Sequence, residues 1–230
     1  MPRIRAVALY VSVGVLFASA VSAGEVTVAN GGGIYGVRVT SLAERRNLTV
    51  IRQEYDFSCG AAAVATLLTY HYGRPTPESV VFKSMYAEGD QKTIKAKGFS
   101  MLDMKRYLDR LGYHSDGFRL ALERLAEIGV PAITLLDING YKHFVVVKGI
   151  RAGRVVVGDP AFGTTVMVEE RFRAVWSGTI LALRDRPYEA RTQFNKEIDW
   201  NVRPSAPLAQ GVSRDSVSSF TLTLPGQVVF

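Results

Sequence analysis

The stretch from Gln53 to Gly73, QEYDFSCGAAAVATLLTYHYG, carries the single cysteine of this 230-residue chain at the point where a polar segment gives way to an apolar run. Gly60, Ala61, Ala62, Ala63, Val64, Ala65, Leu67, Leu68 and Tyr72 are apolar on nearly every side of a 3.6-residue period, and Gly73 and Pro75 follow as stop signals. The pattern predicts a helix sunk in a core, with Cys59 on its first turn. There the orphan backbone N–H groups and the positive end of the helix dipole favour an anion, which suits a thiolate nucleophile. The position suits an inert buried thiol equally well, because free cysteines are among the most buried residue types. The helix alone does not choose between the two.

The start of the chain sets the compartment expected for that thiol. Residues 1–23 place Arg3 and Arg5 before an uncharged apolar stretch and end on Val21, Ser22 and Ala23, the three-part pattern of a secretory signal peptide; an uncleaved N-terminal anchor is the alternative. The expected location is the periplasm, with the mature chain soluble once exported, since no second long apolar span follows. A lone thiol forms no internal disulfide, and an exported protein seldom keeps one without a use. The formal net charge of +7 includes Arg3 and Arg5, so about +5 remains beyond residue 23. Part of that excess is local, in Lys92, Lys95 and Lys97, which read as a solvated loop or as an attractor for an acidic peptide. Basic and aromatic residues are not interleaved, which argues against nucleic acid, and no GxxxxGK[ST] loop is present to bind ATP. No cofactor is expected.

Four segments follow from composition: the signal peptide 1–23, a Gly-rich extended lead-in 24–48, a domain 49–185, and a polar, poorly periodic extension 186–230 that ends in SSFTLTLPGQVVF. Within the domain, helix starts are expected at Thr76-Pro77-Glu78 and at Ser100 with Asp103, and a further helix over Arg119 to Ile128, before Gly129 and Pro131. Then the period changes to two. PAITLLDI, YKHFVVVKGI, RVVVGD and TTVMV are separated by turn residues, and Asn139-Gly140 is a strong hairpin signal. A short helix around Glu169 to Trp176 and a last strand, Thr179 to Leu183, complete the pattern. Helices first and an antiparallel sheet second make an α+β fold.

A thiol nucleophile needs a base within hydrogen-bond reach and a third group to orient that base. Of the three histidines, His71 falls about three turns along the Cys59 helix, roughly 18 Å away at about 1.5 Å per residue. His114 follows a helix stop at Gly112 and reads as solvated. His143 lies in a strand, on the face of Val145 and Val147. A histidine there is commonly a satisfied core residue, but the next strand adds a carboxylate. A short turn around Arg151 to Gly153 brings Asp159 within about three positions of the residue opposite His143, so the two are direct or diagonal neighbours. Asp159 also suits the plain use of a turn residue between Gly158 and Pro160. Spacing does not dock this hairpin against Cys59.

Gln53, the run Cys59-Gly60-Ala61-Ala62, Tyr70 to Gly73, His143-Phe144-Val145-Val146 and Gly158-Asp159-Pro160, in this order, resemble the motifs of the C39 peptidases, and Phe172 to Trp176 and Thr179 to Leu183 resemble the family's ending. The resemblance spans residues 49–185. It implies a papain-like fold, with the helical part carrying the cysteine and the sheet carrying His and Asp. It also implies a cysteine peptidase in which Cys59 is the nucleophile, His143 the general acid–base, Asp159 the group orienting the imidazole and Gln53 the oxyanion-hole donor. Ser58 departs from the family, where an acidic residue commonly precedes the cysteine. The best-known members trim double-glycine leaders at the front of ATP-driven exporters. A free-standing exported chain is instead similar to the C39-like component of functional-amyloid secretion systems, which implies a polypeptide substrate and amyloid or secretion-system partners. A non-cleaving peptide-binding module and a papain-like acyltransferase are the alternatives, and self-processing near Gly31-Gly32-Gly33 is a further one.

Overall fold

The computed structural model describes residues 25–30, 33–38 and 40–202. The predicted signal peptide, Gly31, Gly32 and the closing SSFTLTLPGQVVF lie outside the described residues. The chain divides into two units, residues 1–41 and 42–230. In the first, β1 (Glu25–Asn30) and β2 (Gly33–Arg38) form an antiparallel hairpin with Glu25 level with Arg38 and Asn30 level with Gly33. Within the expected extended lead-in 24–48, residues 25–30 and 33–38 are extended and pair with each other, whereas Leu42–Asn47 is helical.

The second unit begins with α1 (Leu42–Asn47) and the long apolar helix α2 (Cys59–His71), which starts at the cysteine. Ala61 to Ala65, Leu67 and Leu68 of α2 are all solvent-free, and each of the two leucines contributes roughly 1.5–3 kcal/mol by leaving water. Helices α3 (Glu78–Glu88) and α5 (Met101–Arg110) pack against α2 through Val81, Met85, Met104 and Leu108. The start of α5 is a capping box: Ser100 Oγ accepts from the Asp103 N–H at 3.2 Å and the Asp103 carboxylate accepts from the Ser100 N–H at 2.8 Å. Between these two helices lies α4 (Gln91–Lys97), where a solvated loop is the sequence expectation. Asp90 caps it by accepting the Lys92 and Thr93 N–H groups, Ile94 anchors it in the core, and the three lysines are exposed on it.

The six-stranded antiparallel sheet has the order β3-β8-β4-β5-β6-β7, with β3 (Ser115–Arg119), β4 (Ala132–Ile138), β5 (Tyr141–Arg151), β6 (Arg154–Asp159), β7 (Gly163–Val168) and β8 (Trp176–Leu183). Helices α6 (Leu122–Ile128) and α7 (Glu169–Val175) interrupt the strand run. The helix expected from Arg119 starts only at Leu122, because Ser115–Arg119 pairs with β8. That edge strand, SDGFR, has no alternation of apolar residues to announce it. Both predicted hairpins form. Asn139 and Gly140 have φ of 54° and 85°, and Ala152 and Gly153 have 49° and 67°, the left-handed pair that a tight two-residue turn between twisted strands requires.

Apolar layers cover both faces of the sheet. Phe144, Val146, Ile133 and Leu181 meet α2 and its partners, whereas Val145, Val147, Val155 and Val157 meet Leu122, Leu125 and Phe172 from α6 and α7. Residues 186–202 fold onto both layers, with Ala190 in the first and Phe194 in the second. The short helices α8 (Pro187–Thr192) and α9 (Glu197–Trp200) bracket Phe194, which is buried beside the valines, and Asn195, whose N–H donates to the Lys148 carbonyl at 2.9 Å.

Candidate active site

The geometry begins with a register. Val146 pairs with Gly158, so continuing that ladder sets Asp159 level with Val145, two residues from His143 and on the same face. The diagonal contact is made: His143 Nε2 lies 2.8 Å from Asp159 Oδ1, with both side chains buried. The same carboxylate oxygen accepts the backbone N–H groups of Ala161 at 2.8 Å and Phe162 at 3.1 Å. The turn reading of Asp159 and its contact with His143 are therefore both realised, and the turn fixes the oxygen that meets the ring. The other ring nitrogen, Nδ1, is buried and has no fully formed hydrogen bond. Cys59 is a further neighbour that acts on the ring and favours its protonated form.

These influences set the ring's proton affinity. Burial is the strongest and works downward, but the Asp159 hydrogen bond, the Cys59 contact and the charges of both outweigh it, and His143 is pushed up from 6.5 to about 9. The imidazole is thus held as imidazolium at neutral pH, bonded to the Asp159 carboxylate.

His143 and Asp159 have the parity of the layer facing α6 and α7, while Cys59 belongs to the layer around α2. The site therefore straddles the end of the sheet, where the first turn of α2 meets the start of β5 and the last residue of β6. Cys59 is 6% exposed. The loop leading to it is closed by a turn in which the Tyr55 carbonyl accepts the Ser58 N–H and hydroxyl, both at 3.0 Å. Gln53 joins the same turn: its side-chain Nε2 donates to the Tyr55 carbonyl at 2.9 Å, which leaves its second amide hydrogen uncommitted. Its backbone N–H donates to the Pro160 carbonyl at 3.1 Å, tying this loop to the one that follows Asp159. Behind Ser58 lies Glu78, a buried carboxyl raised by that burial and in contact with Ser58.

The remaining histidines lie apart. His71 is buried at the end of α2, kept well below its usual range by burial and then by the charge of Lys148. His114 is exposed, with Nδ1 3.0 Å from Asp185. Among the described residues, no group of three or more His, Cys, Asp or Glu side chains is placed to hold a metal ion.

Two features of β5 have no signal in the sequence. Lys148, five residues beyond His143, is the extra residue of a β-bulge between Val147 and Gly149. Its ammonium is solvent-free, donates to the Thr49 carbonyl at 3.0 Å and hydroxyl at 2.6 Å, and is paired with the Asp199 carboxylate. The second is Tyr141, whose ring stacks on that of His143.

A papain-like layout of thiol, imidazole and carboxylate defines the class, and comparison with known proteins gives the family. The model of the peptidase C39 family matches residues 47–188, and the chain belongs to that family; it is a cysteine peptidase. The probable functional amyloid protease FapD of Pseudomonas aeruginosa is 42% identical over 159 residues, covering 69% of this chain and 70% of that protein. Its counterpart in Pseudomonas fluorescens is 38% identical over the same shares. Among solved structures, the peptidase domain of the Streptococcus ABC transporter ComA superposes with a TM-score of 0.50 at 23% identity, covering 59% of this chain and 96% of that domain, which shows the fold.

Proposed function

We propose that Cys59, His143, Asp159 and Gln53 carry out thiol endopeptidase chemistry on an exported polypeptide, in the periplasm, in support of functional-amyloid assembly. The observation that carries the chemistry is the division of the His143 ring: Nε2 is bound to Asp159, Nδ1 is left unbonded, and Cys59 acts on the same ring. In this reading the Cys59 proton already resides on His143, so the sulfur attacks the scissile carbonyl carbon as a thiolate, and the C–O π electrons move to oxygen. The free amide hydrogen of Gln53 and the Cys59 backbone N–H stabilise that oxyanion, a contribution of about 3 kcal/mol per donor in comparable sites. The C–N bond then breaks as His143 gives its Nδ1 proton to the leaving amine. A water deprotonated by the same nitrogen releases the acyl group, and Asp159 holds the ring throughout. The amyloid setting rests on the named activity of the Pseudomonas relatives, and the periplasmic setting on the pattern of residues 1–23.

The test compares intact masses of exported polypeptides from cells producing the wild-type chain or Cys59→Ala at equal abundance. The expected result is a polypeptide shortened only with the wild type, whose mass names the substrate and the bond. Identical masses, with a fibre defect only when the chain is deleted, would replace peptidase by peptide binding.

The raised His143 also predicts a pH dependence. Because its folded value of about 9 exceeds the ordinary 6.5, the stability its proton contributes is present in full below pH 6.5 and is lost as pH rises through about 9. Cleavage requires the same proton for the leaving amine, so the melting temperature should fall progressively between about pH 6.5 and 9 and the rate should decline on an alkaline limb centred near pH 9. A limb centred near 6.5 would contradict the ion-paired histidine.

A further inference from the structure

Tyr141 opens β5, and His143 is its next neighbour on the same face of the strand. Their ring centroids are 5.7 Å apart and their planes 21° from parallel. His143 is 1% exposed, although Lys142 beside it is exposed and Tyr141 itself is 54% exposed. The imidazole is bordered along the strand by Val145 and across the ladder by Leu136, both buried. Tyr141 is the member of this enclosure that borders water.

We propose that Tyr141 is a positioning residue of the peptidase site, its ring stacked over the His143 imidazole to fix the ring plane and to keep water off the His143–Asp159 hydrogen bond. A histidine's outer torsion has broad, roughly two-fold wells. One hydrogen bond, at Nε2, does not define the plane of a ring whose Nδ1 is unbonded. A flat neighbour does define it, and a π face over an imidazolium also favours the charged ring. The phenol hydroxyl has no part in this. Burial, followed by the charges of Cys59, Asp56 and Asp159, raises the phenol's affinity for its proton and keeps it neutral beside the site. The strand explains why the device exists: only a residue two positions before His143 shares its face toward the turn, and the Asn139-Gly140 hairpin holds that residue at the mouth.

This inference rests on the Cys59–His143–Asp159 reading, and the experiment separates the two. Full-length wild type, Tyr141→Phe, Tyr141→Ala and His143→Gln are compared at pH 7 by the downfield proton resonance of His143 Nε2–H and by the rate of Cys59 alkylation with iodoacetamide. The resonance is expected to persist in wild type and Tyr141→Phe and to vanish by exchange with water in Tyr141→Ala. In Tyr141→Ala the alkylation advantage over His143→Gln should shrink about 2- to 10-fold, as the loss of one aromatic stack allows. A resonance retained in Tyr141→Ala, or lost in Tyr141→Phe, overturns the role assigned to the ring. Equal alkylation of wild type and His143→Gln would instead remove the thiol–imidazole pair itself, with the resonance still judging the stack.

Discussion

Cys59→Ala is expected to lower peptidase activity by at least about 10⁴-fold while leaving the fold in place. In the proposed mechanism the sulfur is the atom that bonds the substrate, and nothing beside it in the first turn of α2 can replace it: Ser58 has its hydroxyl committed to the Tyr55 turn, and Gly60 and Ala61 carry no nucleophile. What remains after removal is binding and the oxyanion donors, which sustain only a small residue of catalysis in triad enzymes. The structural cost is one buried sulfur in a packed layer, about 1 kcal/mol. Because the groups act as a unit, adding His143→Ala to Cys59→Ala should subtract almost nothing more. Kinetics on the substrate named by mass spectrometry, paired with thermal unfolding, checks both halves. Residual activity within 100-fold of wild type would remove Cys59 from the chemistry.

Asp199→Ala is expected to be the most destabilising single change outside the apolar core, at about 3–5 kcal/mol. Its carboxylate is the counter-charge of Lys148, whose ammonium is solvent-free and lowered in proton affinity first of all by that burial, with Asp199 opposing the shift. Removing the carboxylate leaves a buried cation with only Thr49 to solvate it. For a unit of this size the loss corresponds to a fall of about 10 °C or more in Tm. The paired change Lys148→Met with Asp199→Leu should recover most of it, since an apolar pair of similar volume carries no desolvation cost. A loss below about 1 kcal/mol in the single variant would mean that water reaches the ammonium.

What could be read from the chain and what could not divide along sequence distance. Helix α2, the capping box at Ser100 and both glycine-bearing hairpins are written in contiguous residues, and each forms as the local chemistry requires. That Asp159 falls near His143 was legible for the same reason, but its face was not: the two-residue turn alone would set Asp159 level with Val146, and the bulge at Lys148 shifts it to Val145, on the face of His143. The docking of Cys59 on that pair was not, since it crosses from one apolar layer to the other around the end of the sheet. Nor was the pair of Lys148 and Asp199, which are 51 residues apart. Lysine in a valine-rich strand reads as a solvent-facing residue until the bulge turns it inward. The polar segment after residue 185 likewise gave no sign that Phe194 and Asp199 complete the body of the domain. Tyr141 was legible as a strand residue, but only the ring geometry shows what it covers.

Thiol and base come from opposite halves of the chain, and His143 follows Cys59 by 84 residues. A chain emerging or threaded from its N-terminus therefore presents the sulfur long before it has an imidazole, and the imidazole before it has its carboxylate. Until β5 and β6 have closed their hairpin, the thiol lacks the neighbours that make it a catalyst. Latency is thus inherent in the topology. In the proposed mechanism the protease is silent while unfolded and arms itself by folding.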